Sequence, residues 1–147
     1  RRGLSFGDTI WSTVRPNRRS HALNLEGDPL LVASTGLAII SPREVGFAYL
    51  YEATRRPEFS SYLETVAEGS AYPAVRADRF LDAPVPDLPV ERIADFESQA
   101  APLRKLVASQ GRENRTLAAT RDALLPQLMS GKLRVRDAED AASALGV

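Results

Sequence analysis

Thr116-Leu117-Ala118-Ala119-Thr120-Arg121-Asp122-Ala123-Leu124-Leu125-Pro126-Gln127-Leu128-Met129-Ser130-Gly131-Lys132-Leu133-Arg134-Val135 decides the fold of this chain. It closes a long heptad-patterned segment abruptly: Met129 is the last residue in phase, and Ser130-Gly131 supplies the left-handed stop expected just past a helix end. Working backward, apolar or small residues stand at Ile93, Phe96, Ala100, Leu103 and Val107, polar Gln110 and Asn114 follow, and Leu117, Arg121 and Leu124 complete the series. Their alternating spacing puts them on one stripe, an a/d seam, with Gln110 and Asn114 as register-fixing polar layers.

A helix of about 40 residues is roughly 60 Å long, which a domain of 147 residues cannot enclose. The pattern therefore predicts a compact body and a projecting arm. Pro89 suits a helix first turn, and Glu91 complements the dipole there, so the arm starts near residue 89. Inside it Pro102 removes a backbone hydrogen bond at a cost of about 3 kcal/mol, and Gly111 costs about 1 kcal/mol more. A kink or break is expected near one of them. The seam residues Ile93, Phe96, Leu103, Val107, Leu117 and Leu124 have no body to pack on along the whole length, so a second helix must cover them. The competing reading is an arm folded back on its own globular part.

Upstream, residues 1–46 read as short strands and turns. Gly7-Asp8 and Pro16-Asn17 mark turns, Thr9-Ile10-Trp11 and Leu37-Ala38-Ile39-Ile40 favour strands, and Gly27-Asp28-Pro29 separates them. From Gly46, helical spacing recurs in Phe47, Leu50, Tyr51 and again in Phe59, Tyr62, Leu63, Val66, broken near Arg56-Pro57. Gly69-Ser70-Ala71-Tyr72-Pro73 is loop chemistry, and Pro84, Pro86 and Pro89 punctuate an extended linker. The fold class is α+β: a small irregular β-rich domain with short helices over 1–88, a long helix over 89–130, and a tail over 131–147 whose Ala-rich end forms a weak helix or frays.

The 19 basic and 19 acidic side chains cancel, which excludes a blanket polycation and confines any nucleic-acid contact to a local patch. All but Lys105 and Lys132 of the basic residues are Arg, which suits phosphate and guanine recognition but also follows from a GC-rich coding bias. No Cys occurs, so there is neither a disulfide framework nor a thiolate metal site, and a cytoplasmic location fits. The longest apolar run, Leu30 to Ile40, is too short and too interrupted to cross a bilayer. No membrane partner is expected. The chain starts at Arg1 within what reads as folded sequence, which suggests a piece of a longer polypeptide.

Catalytic chemistry is thin. His21 is the single His, so multi-His metal sites are excluded, and a surface or DNA-backbone role is expected for it rather than catalysis. Neither Lys stands two residues after an acid, as a nuclease Glu-x-Lys pattern needs, and Leu133 after Gly131-Lys132 is not the Ser or Thr of a P-loop. Glu52, Glu58, Glu64 and Glu68 read as solvated helix faces. No catalytic residue, metal ligand or cofactor is assigned.

Two stretches carry binding chemistry. Positions 1–21 hold Arg1, Arg2, Arg15, Arg18 and Arg19 against the single acid Asp8. Within them Arg15-Pro16-Asn17-Arg18-Arg19-Ser20-His21 combines guanidinium, amide and hydroxyl donors that grip phosphates and read base edges; the alternative is a solvated basic loop. Three phosphate contacts there would give a salt slope of about 2.7 log units. The second stretch is Gly69 to Arg79, in which the Gly-Ser loop permits close backbone approach, Tyr72 offers a flat surface and Arg76 or Arg79 reaches outward. Alternatively Tyr72 plugs the core and Arg79 pairs with Asp78 or Asp82. The candidate DNA-contacting set is Arg15, Asn17, Arg18, Arg19, Ser20, Ser70, Tyr72 and Arg76.

The ending Leu117, Arg121-Asp122, Leu124-Leu125-Pro126, Leu128 and Ser130-Gly131-Lys132-Leu133-Arg134-Val135 resembles the spacer helix and exit of the specificity subunit of type I restriction-modification systems. Gly7-Asp8-Thr9-Ile10, the aromatic-rich Phe47 to Tyr51, Gly69-Ser70 and Ile93-Ala94 follow in the order of a target recognition domain in that family. The resemblance implies a non-catalytic subunit that recognises double-stranded DNA. In that family two recognition domains are held apart by two antiparallel helices, which also dock modification (methyltransferase) subunits of a complex that includes restriction subunits. One recognition region and one helix are present here, which resembles the C-terminal portion of a subunit, or a half-subunit pairing with another copy through a coiled-coil-like arm. The methyl donor and ATP would belong to partner subunits. Val90-Glu91-Arg92 stands where the family has a Gln at the helix entry, and Pro102 is a second departure. The main rival is a dimerising coiled-coil adaptor without a DNA role; a zipper-type transcription factor would need basic residues continuous with the heptads.

Overall fold

Alternation in Thr9-Ile10-Trp11-Ser12 fixes the centre of the fold, because Thr9 and Trp11 are fully buried while Ile10 and Ser12 are only half-buried. The computed structural model describes residues 2–136; the tail over 137–147, expected to form a weak helix or fray, lies outside them. In chain order the elements are β1 (Arg2–Gly3), β2 (Thr9–Ser12), β3 (His21–Leu23), β4 (Val32–Ala33), β5 (Leu37–Ile40), α1 (Phe47–Thr54), α2 (Pro57–Thr65) and α3 (Val90–Met129), with 3-10 turns at Pro16–Arg18 and Ala77–Leu81. The architecture is α+β: small antiparallel sheets, short helices and a long C-terminal helix.

β2 is the middle strand of a three-stranded sheet ordered β3-β2-β5, and β1 pairs separately with β4. The register sets Trp11 opposite His21 on one side and Ala38 on the other. The small Ala38 side chain leaves room for the indole, and Phe59 and Leu63 of α2 close over it with Val75, Phe80 and Ala83. Ring centroids of Trp11 and Phe59 lie 5.4 Å apart, and those of Phe59 and Phe80 lie 6.2 Å apart. Each large side chain buried in this way contributes about 1.5–3 kcal/mol, so this apolar cluster is what holds the loops around the sheet in place.

Helix α2 begins at Pro57, whose fixed φ suits a first turn, and the residue before it, Arg56, is extended. That is the break expected between the two short helices. α1 has Gly46 at its N-cap and no capping side chain of its own. Its exposed amides are served from far along the chain: the Glu97 carboxylate accepts the Ala48 amide at 3.3 Å and the Tyr49 amide at 2.8 Å. Gly46 must be Gly for this, since a Cβ there would overlap the Glu97 carboxyl group. Tyr49 reinforces the junction, with its ring edge-on to Phe96 at 6.1 Å and its hydroxyl donating to the Pro86 carbonyl at 2.7 Å. Burial, then the nearby Asp87 charge, pushes the Tyr49 phenol above its ordinary pKa.

The chain divides into two compact units, Arg1–Lys105 and Leu106–Val147. α3 runs unbroken from Val90 to Met129. The break expected near Pro102 or Gly111 therefore does not occur. Pro102 withholds one amide, and both Pro102 and the Ser98 whose carbonyl would have received it are exposed, so water can serve that group. At the other end Gly131 takes φ +70° and the Leu133 amide donates back to the Gln127 carbonyl at 3.1 Å, giving the expected stop. Of the seam residues, Ile93 is half-buried, while Phe96, Leu103, Val107, Leu117 and Leu124 are exposed. No helix among the described residues is long and apolar enough to cross a membrane.

Candidate functional site

Beyond Ser12 the β2 strand continues as a single extended line of hydrogen bonds. The Thr13 carbonyl accepts the Val75 amide at 2.8 Å, Val14 bridges Ala74, and the Arg15 amide donates to the Pro73 carbonyl at 2.7 Å. Those bonds join the two stretches that carried binding chemistry in the sequence. The Arg15 guanidinium lies over the Tyr72 ring, 4.7 Å from its centroid, a cation–π geometry that holds a flat ring and a charge on one edge.

The Tyr72 loop is closed by backbone hydrogen bonds. Glu68 and Ala74 exchange both backbone hydrogen bonds, at 2.9 and 2.8 Å, and Gly69 turns the chain at φ +94° with its Cα facing the Tyr72 carbonyl closely enough that a Cβ would stand 3.2 Å from it. Ser70 and Tyr72 are thereby displayed outward, and Tyr72 is 70% exposed. The reading in which Tyr72 plugs the core is thus excluded. Arg76 follows, exposed, in a 3.5 Å ion pair with Asp78, and Arg79 pairs with Asp82 at 3.8 Å.

The basic loop is shaped by two left-handed residues, Arg15 at φ 52° and Arg19 at φ 51°, flanking the Pro16–Arg18 turn. Pro16 is buried and anchors it, while Asn17, Arg18 and Ser20 are exposed. Arg19 is oriented differently from the others: its guanidinium donates to the Arg55 carbonyl at the end of α1. Asn17, Arg18 and Ser20 thus stand on the same loop as Arg15, with Tyr72, Ser70 and Arg76 on the neighbouring segment. The arrangement offers charge, hydroxyl and amide donors, and one flat ring.

His21 is held in a partly buried ring cluster rather than standing free at the surface. It is half-buried, stacked on Trp11 at 4.9 Å and set against Tyr51 at 5.6 Å, with Nδ1–H donating to the Arg19 carbonyl at 2.6 Å. Burial lowers its pKa from 6.5, the Arg19 carbonyl opposes that, and the charges of Arg55, Arg19 and Arg104 add to the lowering. Tyr51 carries the chain of contacts onward, since the Arg104 guanidinium of α3 lies 4.9 Å from its ring centroid and that of Arg55 lies 5.4 Å away. Glu52 pairs with both Arg55 and Arg104. Glu52 and Glu58 are accordingly engaged with arginines, the latter with Arg56 at 3.1 Å. Sequence reasoning missed Glu97, Arg104 and the Tyr51 contacts; the one visible hint was a helix start at Gly46 with no local cap.

Among the described residues no group of His, Asp and Glu is placed to hold a metal ion. No protein-family profile matches the chain, and no curated protein does. A solved structure described as the structural basis underlying complex assembly and conformational transition of the type I R-M system is similar over 88% of this chain, at 25% identity and a TM-score of 0.51. This chain spans 33% of the length of that one. The fold is thus related to that of a component of a type I R-M complex.

Proposed function

We propose that this chain is a sequence-specific, double-stranded-DNA recognition module of a type I restriction-modification specificity subunit, with α3 acting as spacer and docking arm for modification subunits. The observation that carries the reading is the meeting of Arg15 and Tyr72. Two stretches far apart in sequence converge, Arg15, Asn17, Arg18 and Ser20 on one and Ser70, Tyr72 and Arg76 on the other, with Arg15 over the exposed Tyr72 ring; these are donor types that position phosphates and read base edges. The likeness to a chain of a type I R-M complex supports the same reading. The module binds and positions; methyl transfer and cleavage belong to other subunits.

Fluorescence anisotropy with a labelled random-sequence duplex at low salt, followed by selection of the retained sequences, tests this. Binding with a salt slope of about 2 to 3 log units is expected for two or three arginine–phosphate contacts, together with an enriched sequence. A chain that binds no duplex at low salt rejects it.

A second reading is favoured by a specific observation. Leu103, Val107 and Leu117 are 63%, 59% and 59% exposed along α3, a stripe suited to another helix. A coiled-coil adaptor without a DNA role would show concentration-dependent mass and no duplex affinity.

A further inference from the structure

Thr13 holds a third loop beside the Arg15–Tyr72 edge. Its amide and its hydroxyl both donate to the Gly36 carbonyl at 2.9 Å, while its own carbonyl accepts the Val75 amide at 2.8 Å. The turn Ser34-Thr35-Gly36 between β4 and β5 therefore lies at the same end of the sheet as Arg15, with Ser34 and Thr35 exposed. From this turn a cleft of about 700 Å³ extends along β5.

The walls of that cleft have a distinctive chemistry. Arg2 and Arg43 contribute two guanidinium groups, and Ser34, Thr35 and Ser41 contribute hydroxyls. The one carboxylate, Asp78, is already paired with Arg76. Neither Arg2 nor Arg43 is ion-paired with another described residue. Leu81, 84% exposed, and Leu37 add apolar surface. Cations without an ion-pair partner among the described residues, with hydroxyl donors and apolar side chains beside them, complement a chain of repeating anions separated by apolar faces, which is a sugar–phosphate backbone.

We propose that the β5 cleft carries a further length of the DNA backbone, continuous with the Arg15–Tyr72 edge, with Arg43 and Arg2 on phosphates and the Ser34-Thr35 turn between the two contact regions. This rests on the DNA-recognition reading above and enlarges its footprint. An acidic peptide is the competing occupant of the same charges, and continuity through Thr13 with the Arg15 loop favours DNA.

The experiment uses the full chain, a labelled duplex and a salt series, comparing Arg2→Gln, Arg43→Gln and their double variant with Arg15→Gln. Each cleft variant is expected to bind about fivefold more weakly at low salt and to lower the salt slope by about 0.9, the double variant by about 1.8. Thermal melting should be unchanged, since both side chains are exposed. If Arg15→Gln weakens binding and flattens the slope while the cleft variants behave as the parent, the cleft is not a DNA site and the recognition reading survives. If the parent chain binds no duplex, both fall. If a labelled poly-glutamate peptide binds the parent as tightly as the duplex and loses affinity with Arg43→Gln, the cleft belongs to an acidic polypeptide and the proposal is overturned.

Discussion

The carboxylate of Glu97 accepts the backbone amide of Tyr49 at 2.8 Å, so a side chain about two turns into α3 caps the start of α1. A residue 48 positions away thus does what an N-cap side chain ordinarily does. The contact also fixes the direction in which the chain enters the long helix, because Phe96 and the Pro86 carbonyl meet the same Tyr49.

Removing that cap should cost stability without touching the exposed loops. Glu97→Ala is expected to lower unfolding free energy by about 1 kcal/mol, the usual value of a lost N-cap, seen as a lower urea midpoint at an unchanged slope. Gly46→Ala should cost more, since the added methyl overlaps the Glu97 carboxyl group. Equal midpoints for the parent and both variants would show that the cap carries no energy.

Arg15 and Tyr72 should separate by mechanism in a duplex-binding assay. Arg15→Gln removes a charge and should flatten the salt slope by about 0.9. Tyr72→Ala removes a flat contact worth about 1 kcal/mol, or roughly fivefold in affinity, and should leave the slope nearly intact. Tyr72→Phe should bind like the parent. A Tyr72→Ala variant with unchanged affinity would place the ring outside the contact.

His21 gives a pH dependence of known sign. Its folded pKa is below the unfolded 6.5, chiefly through burial, so protonation favours the unfolded chain. The stability it contributes is complete above pH 6.5 and is lost as pH falls from there through the lowered folded value. Urea midpoints measured from pH 7.5 downward should decline below 6.5 in the parent and decline less in His21→Phe, which keeps a ring against Trp11. Identical profiles would mean that His21 titrates alike in both states.

The long helix, both main strands and the two short helices were legible because each is written in local periodicity: heptads through Met129, alternation through Trp11, and a Pro57 interruption. Pro102 does not end the helix, since its penalty is local and an exposed carbonyl can turn to water. The site was half legible. Residue types marked Arg15 and Tyr72, but their meeting depends on the Val14–Ala74 bridge, a pairing that no local pattern encodes. The partial burial of His21 was not legible, because it follows from the register that sets it opposite Trp11. Glu97 was invisible for a related reason: on a helix a Glu reads as solvated until the distant amides it receives are known. The Ser34-Thr35 turn acquired significance only through Thr13.

The exposed stripe on α3 makes the strongest claim on a partner. Leu103, Val107 and Leu117 are each more than half exposed, and covering a Leu or Val with another helix is worth about 1.5 kcal/mol or more. Replacing all three by Asp should weaken helix-mediated association by roughly a thousandfold or more, while far-UV circular dichroism and duplex binding by the Arg15–Tyr72 edge persist. Light scattering over a concentration series measures the association of copies, and co-purification with modification subunits measures docking. Should the triple variant retain the parent's mass profile and its partner capture, the stripe is not an interface, and its exposed leucines need another explanation than a missing helix.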